Sequence, residues 1–463
     1  MISRTQERPL TARPSLSDLL SRLADRRDYV VLGDFSPAST ARYHYLGLVN
    51  TALTVTLTSD QKNPLRRLQT LFIDQPVSES IPAWPFYGGW VGFLSYDLAR
   101  VIEVLPDDVE HDLVIPLGRF FFCDAIIAWD NEKDRGALLA LEHDRQQRSA
   151  DDRLQELQEL CRARPVFHED ATGVDLGDDR WQAHFSANFT MDEYLAAIER
   201  ARHYIRIGDI YEVNLSRRLS CVYEESPAKL YRELTHQHPA DYSALLRSEA
   251  FSLVSASPEL FLLKRGRHIL TRPIKGTIAR GLNAAEDQAN YRALLDSQKD
   301  RAELNMIIDL ERNDLGRVCE WGSVRVDRQR IIEKHPTLYH AVAAISGTLH
   351  EDVELEQVIR ATFPGGSVIG APKIRAMEII DELEPTARSA YCGSIGWIGL
   401  QGDFDFNIAI RTIILQNGRA YLQTGGAIVD DSDPQREYEE TLVKAAGCAR
   451  AILSCGGASN KVD

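Results

Sequence analysis

The residues best suited to chemistry are a lysine and a glutamate in two short, turn-rich segments. Glu259 stands in Ser-Pro-Glu, and Lys275 follows 16 residues later in Arg-Pro-Ile-Lys-Gly-Thr. A neutral lysine amine can attack carbon, and a protonated carboxyl group can protonate a leaving group. Because a lysine before a glycine is usually a solvated turn residue, the pair indicates catalysis only when the surrounding segments support it.

Those segments resemble the chorismate-utilising enzymes, the family of the anthranilate, isochorismate and salicylate synthases. The resemblance is carried by Arg-Pro-Ile-Lys-Gly-Thr, by Asp-Leu-Glu-Arg-Asn-Asp at 309–314 and by a Gly-Ala-Pro-Lys loop at 370–373. It is close over residues 185–453 and looser before them. The lysine at position 275 is similar to the residue found in the branch of the family that aminates ring carbon 4 of chorismate. Anthranilate synthases typically carry alanine at this position. The resemblance implies Lys275 as nucleophile and Glu259 as acid.

Two pairs of acids predict a Mg²⁺ site through the same resemblance. Asp300 and Glu303, and likewise Glu437 and Glu440, are three residues apart and share one face of a predicted helix. Alone, either pair is typical of a solvated helix face. The resemblance implies that Glu303 and Glu440 ligate the ion and that Asp300 and Glu437 support them. Mg²⁺ suits a site of few carboxylates that also binds a substrate carboxylate.

The resemblance also implies which groups hold the substrate. They surround the carboxylates and the ring hydroxyl of chorismate: Tyr391, Arg411, the turn Gly425-Gly426-Ala427, Lys444, His340, Gly370 and Thr277. Arginine offers a forked donor to a carboxylate, and a glycine turn exposes backbone N–H groups. Taken singly, each of these residues is typical of ordinary packing.

Three residues depart from the family pattern. Glu212 stands where amine-forming members usually have glutamine and isochorismate-forming members have a lysine that activates water. Ile369 replaces a hydroxyl residue, and Ala427 replaces a glycine. The missing lysine argues against isochorismate or salicylate formation. The carboxylate of Glu212 either costs affinity for an anionic substrate or has a catalytic role.

Composition predicts a cytoplasmic protein that binds neither nucleic acid nor membranes. The 463 residues are 44% apolar and carry a net charge of −15, and this charge repels nucleic acid and anionic lipid. No apolar run reaches the roughly 18 residues that span a bilayer, and the N-terminus lacks the apolar core of a signal peptide. The seven cysteines form no Cys-x-x-Cys pair, so neither a disulfide framework nor a zinc site is indicated.

The pattern along the chain predicts four regions: an N-terminal region at 1–165, a linker at 166–187, a catalytic domain at 188–455 and a tail at 456–463. A capping box from Thr190 to Glu193 begins a helix that Gly208 ends.

Further helices are predicted at 285–310, 372–383 and 435–453, alternating with strands. This pattern indicates an α/β (α+β) protein. The resemblance implies two large antiparallel β-sheets packed as a sandwich with helices outside.

The resemblance implies that chorismate and ammonia become 4-amino-4-deoxychorismate, for p-aminobenzoate and folate synthesis. Lys275 would attack ring carbon 2 while the 4-hydroxyl leaves with a proton from Glu259, and ammonia would then displace the lysine. With an ordinary pKa of about 10.4, a neutral amine at pH 7 costs roughly 4–5 kcal/mol. We expect burial and the metal to favour the neutral amine, with the proton shared between Lys275 and Glu259.

The sequence contains no Gly-x-Cys-x-Gly nucleophile for glutamine hydrolysis. The resemblance therefore implies a heterodimer with a glutamine amidotransferase subunit that supplies ammonia. Two alternatives stay open, namely an anthranilate-forming subunit and a non-catalytic chorismate-binding regulatory subunit. Ser36 marks a possible effector site in the N-terminal region.

Overall fold

The structure is a computed structural model that describes residues 2–37, 39–69, 71, 83–143, 148–162, 180–335 and 338–457. The strands are β1 Ile2–Leu10, β2 Tyr29–Leu32, β3 Tyr43–Leu57, β4 Gly89–Leu94, β5 Gly118–Asp130, β6 Arg135–His143, β7 Ser186–Ala187, β8 Glu212–Val222, β9 Tyr242–Arg247, β10 Ser252–Ser257, β11 Leu260–Arg265, β12 His268–Arg272, β13 Ile274–Ala279, β14 Arg325–Lys334, β15 Leu338–Thr348, β16 Gly370–Ala371, β17 Ser394–Gly399, β18 Phe404–Asn407, β19 Thr412–Gln416 and β20 Arg419–Ile428. The α-helices are α1 Leu16–Arg22, α2 Arg66–Gln69, α3 Ala99–Ile102, α4 Ala150–Arg162, α5 Met191–Arg206, α6 Pro227–Gln237, α7 Ala284–Asp296, α8 Gln298–Gly316, α9 Leu355–Thr362, α10 Lys373–Leu383 and α11 Pro434–Ser454.

The strands pair antiparallel into two arms that meet at β3 and β5. One arm, the β15 arm, continues from β5 through β4, β17, β18, β11 and β12 to β15, which also pairs with β13 and β14. The other, the β8 arm, continues from β3 through β2, β9, β10, β19 and β20 to β8. The implied pair of antiparallel sheets is therefore present, joined into one hydrogen-bonded network by the β3–β5 pair.

Alternating side chains of the β8 arm face two different apolar cores. Val30 and Leu253 lie in the core that also contains Phe93 of the β15 arm, so the arms pack face to face. Their neighbours Val31 and Val254 lie in a second core, together with apolar residues of α1, α4, α6 and α11. Since successive side chains of a strand point to opposite faces, two apolar neighbours indicate a strand buried on both sides. The arrangement confirms a sandwich with helices outside.

The helix at Thr190 begins and ends as predicted. The Thr190 hydroxyl accepts from the Glu193 N–H at 3.3 Å, the Glu193 carboxylate accepts from the Thr190 N–H at 2.8 Å, and α5 ends just before Gly208, whose φ is +86°. The predicted helix at 285–310 was wrong in its continuity, because α7 and α8 are separate helices that meet at Ser297. The Ser297 side chain accepts from the Asp300 N–H at 3.2 Å and so caps α8.

The predicted linker lies only partly in the described ranges. Residues 166–179 lie outside them, as does the tail from 458 onward. The described end of the linker forms a 3₁₀ helix, Arg180–His184, and then β7, which pairs with β8. Strands from the two halves of the chain also pair, β2 with β9 and β4 with β17. None of the helices in the described ranges has the length and apolar composition needed to cross a bilayer.

Candidate active site

Lys275 and Glu212 form a buried ion pair where β13 lies near the start of β8. The Lys275 Nζ donates to Glu212 Oε1 at 2.6 Å, and the residues are 7% and 0% exposed. Burial by itself lowers the pKa of Lys275, but the charges of Glu212, Glu303 and Glu259 outweigh it and raise that pKa above its ordinary value. The carboxylate that is hydrogen-bonded to Lys275 is thus Glu212 rather than Glu259, and the neutral amine that burial and the metal would favour stays a prediction.

Glu259 is buried in the same cleft and holds a different partner. Its Oε1 accepts from the Ile274 N–H at 3.2 Å, and Ile274 is the residue before Lys275. Burial raises the pKa of Glu259 above its ordinary value. A carboxyl group that retains its proton can give it to a leaving hydroxyl, so this geometry fits the predicted acid.

The predicted metal-binding acids of α8 and α11 approach one another around Lys299. The Lys299 Nζ lies 3.9 Å from Glu303 Oε1 and 3.8 Å from Glu437 Oε1. Beside them, a Cβ added to Gly426 would lie 3.3 Å from Glu437 Oε2 and 3.5 Å from Glu440 Oε1. The fourth acid, Asp300, lies against β13, where a Cβ on Gly276 would be 2.9 Å from its Cγ. The structure thus brings together the acids of both predicted pairs.

The donor set fits Mg²⁺, although the side chains are not arranged around an ion. No group of three or more His, Cys, Asp or Glu side chains in the described residues is positioned to hold a metal. Glu440 is paired with Lys444 at 2.7 Å, and Glu437 accepts from the Ser432 hydroxyl at 2.7 Å. In the described part of the chain, the buried Glu303 Oε1 has no hydrogen-bond partner, and burial raises the pKa of Glu303 to about 7. Clustered carboxylate oxygens that include a buried oxygen without a hydrogen bond suit a hard cation.

Arg411 is a half-buried cation without a fixed partner in the described residues. Its φ is +47°, a conformation rare for side chains other than glycine, and its guanidinium makes no hydrogen bond or ion pair there. Burial lowers the pKa of Arg411, and its charge acts on Glu259 and His340. The loop of Tyr391 lies beside it, since the Cys392 N–H donates to the Ala409 carbonyl at 3.0 Å. A free guanidinium here fits the predicted carboxylate partner.

Gly425, Gly426 and Ala427 are not a turn, which corrects the prediction. They lie within β20, opposite Ser216, Leu215 and Asn214 of β8. A Cβ on Gly425 would lie 2.5 Å from the Leu215 carbonyl oxygen, so the glycine permits a close strand approach.

The other edge of β20 is open at these residues. The pairing of β20 with β19 ends at Leu422. Lys444 Nζ donates to the Gly425 carbonyl at 3.0 Å. In an antiparallel strand the N–H of a residue points to the same side as its C=O, so the Gly425 N–H also faces this edge. The Gly425 N–H that was predicted to bind a substrate carboxylate can therefore still do so, although Gly425 lies in a strand rather than in a turn.

His340 and Thr277 face each other across β13 and β15. The Thr277 hydroxyl and His340 Nδ1 are 2.7 Å apart, in register. Burial lowers the pKa of His340 to about 3, so the imidazole is neutral near pH 7. A neutral imidazole can hydrogen-bond a substrate hydroxyl without adding charge.

The loop of Gly370 holds the start of β8. Gly370 pairs with Val213 through the short strand β16, and the Ile369 carbonyl accepts from the Asn214 N–H at 2.8 Å. The Ile369 side chain is fully buried in the core between the arms. The hydroxyl that relatives carry at this position is therefore replaced here by apolar packing.

Sequence reasoning missed a buried pair that fixes this loop. Arg388 donates to Glu384 at 2.6 and 3.0 Å and to the Asn214 carbonyl at 2.5 Å. Glu384 also accepts from the N–H and hydroxyl of Ser216, both at 2.8 Å. The one sequence signal for this pair was the spacing of four residues between Glu384 and Arg388, a spacing that surface helices often show.

Ser36, the possible effector residue, lies in the connection between β2 and β3. Its N–H donates to Asp34 Oδ1 at 3.0 Å, and its carbonyl accepts from the Asn131 side chain at 3.3 Å. These contacts hold the connection in place, and an effector role stays a prediction.

The fold agrees with comparisons to known proteins. The family model described as chorismate binding enzyme matches residues 35–450, so the chain belongs to this family. The chain is 40% identical to aminodeoxychorismate synthase component 1 of Bacillus subtilis (84% of this chain, 82% of that protein). It is 39% identical to an anthranilate synthase component 1 of Haloarcula marismortui (80% and 76%). The crystal structure of anthranilate synthase component I from Streptococcus pneumoniae superposes with a TM-score of 0.77 at 31% identity (89% and 92%).

Proposed function

We propose that the chain catalyses the amination of chorismate to 4-amino-4-deoxychorismate, the reaction of an aminodeoxychorismate synthase component 1. The observation that carries the proposal is Lys275, buried in the cleft with Glu259 and the acids of α8 and α11 around it. The relative of that name from Bacillus subtilis, 40% identical over 394 residues, supports the same reaction.

Each step of the proposed reaction is assigned to side chains of this chain. Lys275 forms a bond to ring carbon 2, both ring double bonds shift by one position, and the 4-hydroxyl leaves as water with the proton of Glu259. Ammonia then attacks ring carbon 4 and displaces the lysine amine. Arg411, with the β20 edge at Gly425 and with Lys444, binds the enolpyruvyl carboxylate.

A metal ion completes the proposed site. Glu303 and Glu440, supported by Glu437 and Asp300, would hold Mg²⁺. When bound, the ion supplies positive charge to the ring carboxylate.

The ammonia is proposed to come from a separate glutamine amidotransferase subunit in a cytoplasmic heterodimer. Glutamine hydrolysis by a cysteine requires a thiol of lowered pKa. Burial instead raises the pKa of all seven cysteine thiols of this chain. The purified chain should therefore use an ammonium salt at alkaline pH but not glutamine. Glutamine-dependent turnover by the pure chain would show that the partner is not needed.

Product identification tests the function directly. The chain is incubated with chorismate, Mg²⁺ and an ammonium salt, and the products are separated and weighed by mass spectrometry. Aminodeoxychorismate is the expected product. Anthranilate would assign the chain to the other activity found among its relatives. Chorismate binding without conversion would make it a regulatory subunit.

A further inference from the structure

We propose that Glu212 is the proton acceptor that frees the Lys275 amine for attack, an inference that rests on the proposed function. Glu212 is the one carboxylate of the described residues in ion-pair contact with Lys275, at 2.6 Å. This hydrogen bond is also the only one that the lysine side chain makes to a described residue. The proton therefore has a direct acceptor before any substrate binds.

Without substrate the charge of Glu212 keeps Lys275 protonated, yet the buried pair has unfilled hydrogen-bonding capacity. An ammonium has three donors and a carboxylate two acceptor oxygens, yet one hydrogen bond joins them here, and Glu212 Oε2 has no partner in the described residues. Charges with unfilled hydrogen-bonding capacity are costly to bury. Transfer from Nζ to Oε1 removes both charges in one step. A bound substrate that excludes water from the cleft increases that advantage.

The other charged groups around Lys275 are occupied or more distant. Glu259, Glu303 and Glu440 act on it through their charges, and Asp300 lies beside the adjacent Gly276. Glu259 must keep its own proton for the leaving hydroxyl, and none of these acids hydrogen-bonds the amine. The backbone of Glu212 is also fixed in position, because Glu212 pairs with Ala371 of β16.

The transfer balances over a full cycle. Glu212 takes a proton from Lys275 and the neutral Nζ bonds to ring carbon 2. Both ring double bonds shift by one position, and the C4–O bond breaks as Glu259 protonates the leaving hydroxyl. The adduct nitrogen is a secondary ammonium. Ammonia bonds to C4 and the C2–Nζ bond breaks, which returns a neutral lysine amine. The product ammonium reprotonates Glu259, and Glu212 returns its proton to Lys275. The net reaction is chorismate plus ammonia to aminodeoxychorismate plus water.

The test measures adduct formation on Lys275 against pH without ammonia. Rapid quenching and intact-protein mass spectrometry give the rate for the wild type, Glu212→Gln and Glu212→Asp. Glutamine keeps the size and the acceptor oxygen but cannot take a proton. We expect the wild-type rate to be nearly flat from pH 7 to 9. In Glu212→Gln the amine must lose its proton to water, so the rate should rise about tenfold per pH unit below the pKa of the lysine. Glu212→Asp should be slower than the wild type but equally flat.

Two controls define what overturns the proposal. Glu225→Gln removes a half-exposed acid paired with Lys229 at 3.2 Å and should leave rate and profile unchanged. Circular dichroism confirms folding of each variant. A wild-type rate with a flat pH profile in Glu212→Gln overturns the proposal. A rate that is low but equally flat with pH also overturns it, since it makes Glu212 a positioning residue only.

A measurement without chorismate separates this inference from the proposed function. Reductive methylation with formaldehyde and cyanoborohydride, read on the peptide that contains Lys275, reports how readily the amine loses its proton. In Glu212→Gln the midpoint of its pH dependence should shift to lower pH. An unchanged midpoint overturns the inference even if chorismate is aminated. If the midpoint shifts in Glu212→Gln but the wild type never converts chorismate, the proposed function fails while the pairing of Glu212 with Lys275 stands.

Discussion

Gly370 lies so close to Glu212 that a Cβ on the glycine would be 2.1 Å from the Glu212 carbonyl oxygen. The φ of Gly370 is +126°, in a region that other residues rarely occupy. The contact brings β16 against the first residues of β8. The glycine-rich loop thus sets the backbone position from which the Glu212 side chain reaches Lys275.

Gly370→Ala should destabilise the fold and weaken the site together. Backbone strain costs about 1–3 kcal/mol, and overlap with a backbone atom adds to it because no flexible side chain can move aside. Urea unfolding and the adduct rate measure the two effects. Gly208→Ala is the matched control, since Gly208 has φ +86° but open space around its Cα. Equal losses in the two variants would contradict the close-approach argument.

Glu384→Ala should cost much more stability than removal of a surface partner. It leaves Arg388 as a buried charge without its carboxylate, which typically costs about 3–5 kcal/mol. Glu382→Ala, two residues earlier, removes a half-exposed partner of Arg200 and should cost less than about 1 kcal/mol. Urea unfolding compares them. Similar values would show that the Arg388 network contributes little to stability.

Glu311 should make stability fall as pH rises. It is buried, accepts from the Thr271 hydroxyl at 2.6 Å, and burial raises its pKa to about 8. Between its ordinary unfolded pKa, about 4.3, and that folded pKa, the folded state binds more protons, so unfolding free energy decreases with pH over this window.

Glu311→Gln keeps an acceptor for Thr271 and removes the titration. Relative to the wild type, this variant should gain stability between pH 5 and pH 8. Urea unfolding at both pH values measures it, and a difference that does not change with pH would contradict the assignment.

Glu440→Gln, or a chelator, should abolish turnover while the protein stays folded. The proposed ion would contribute several kcal/mol of charge stabilisation, so its loss should lower turnover by about 100-fold or more. Glu439→Gln is the neighbouring control, because Glu439 is exposed and bonded only within α11, to Gln435 at 2.8 Å. Turnover and circular dichroism are measured together. Full activity in excess chelator would falsify the metal prediction.

Most local signals were interpreted correctly from the sequence, and long-range pairings were not. The Thr190 capping box was predictable because both partners lie within one turn. Ser297 was missed because good helix formers stand on both sides of it. The open strand at Gly425 depends on β8, about 210 residues earlier, so its glycines were read as a turn. Similarly, motif spacing cannot show that Lys275 pairs with Glu212 rather than Glu259.

Lys275 itself gives the sharpest test of the two-step amination. Without ammonia the second displacement has no nucleophile, so a covalent species should accumulate when chorismate and Mg²⁺ are supplied. Intact-protein mass spectrometry should show an addition of chorismate less one water, on the peptide that contains Lys275. Lys275→Ala should show none, and Lys229→Ala, at a half-exposed surface pair, should behave as the wild type. Residual amination in Lys275→Ala is compatible with the scheme, because ammonia can attack directly while Glu259 still protonates the hydroxyl. Loss of the 4-hydroxyl by an unmodified wild type would instead leave Lys275 with an electrostatic role only.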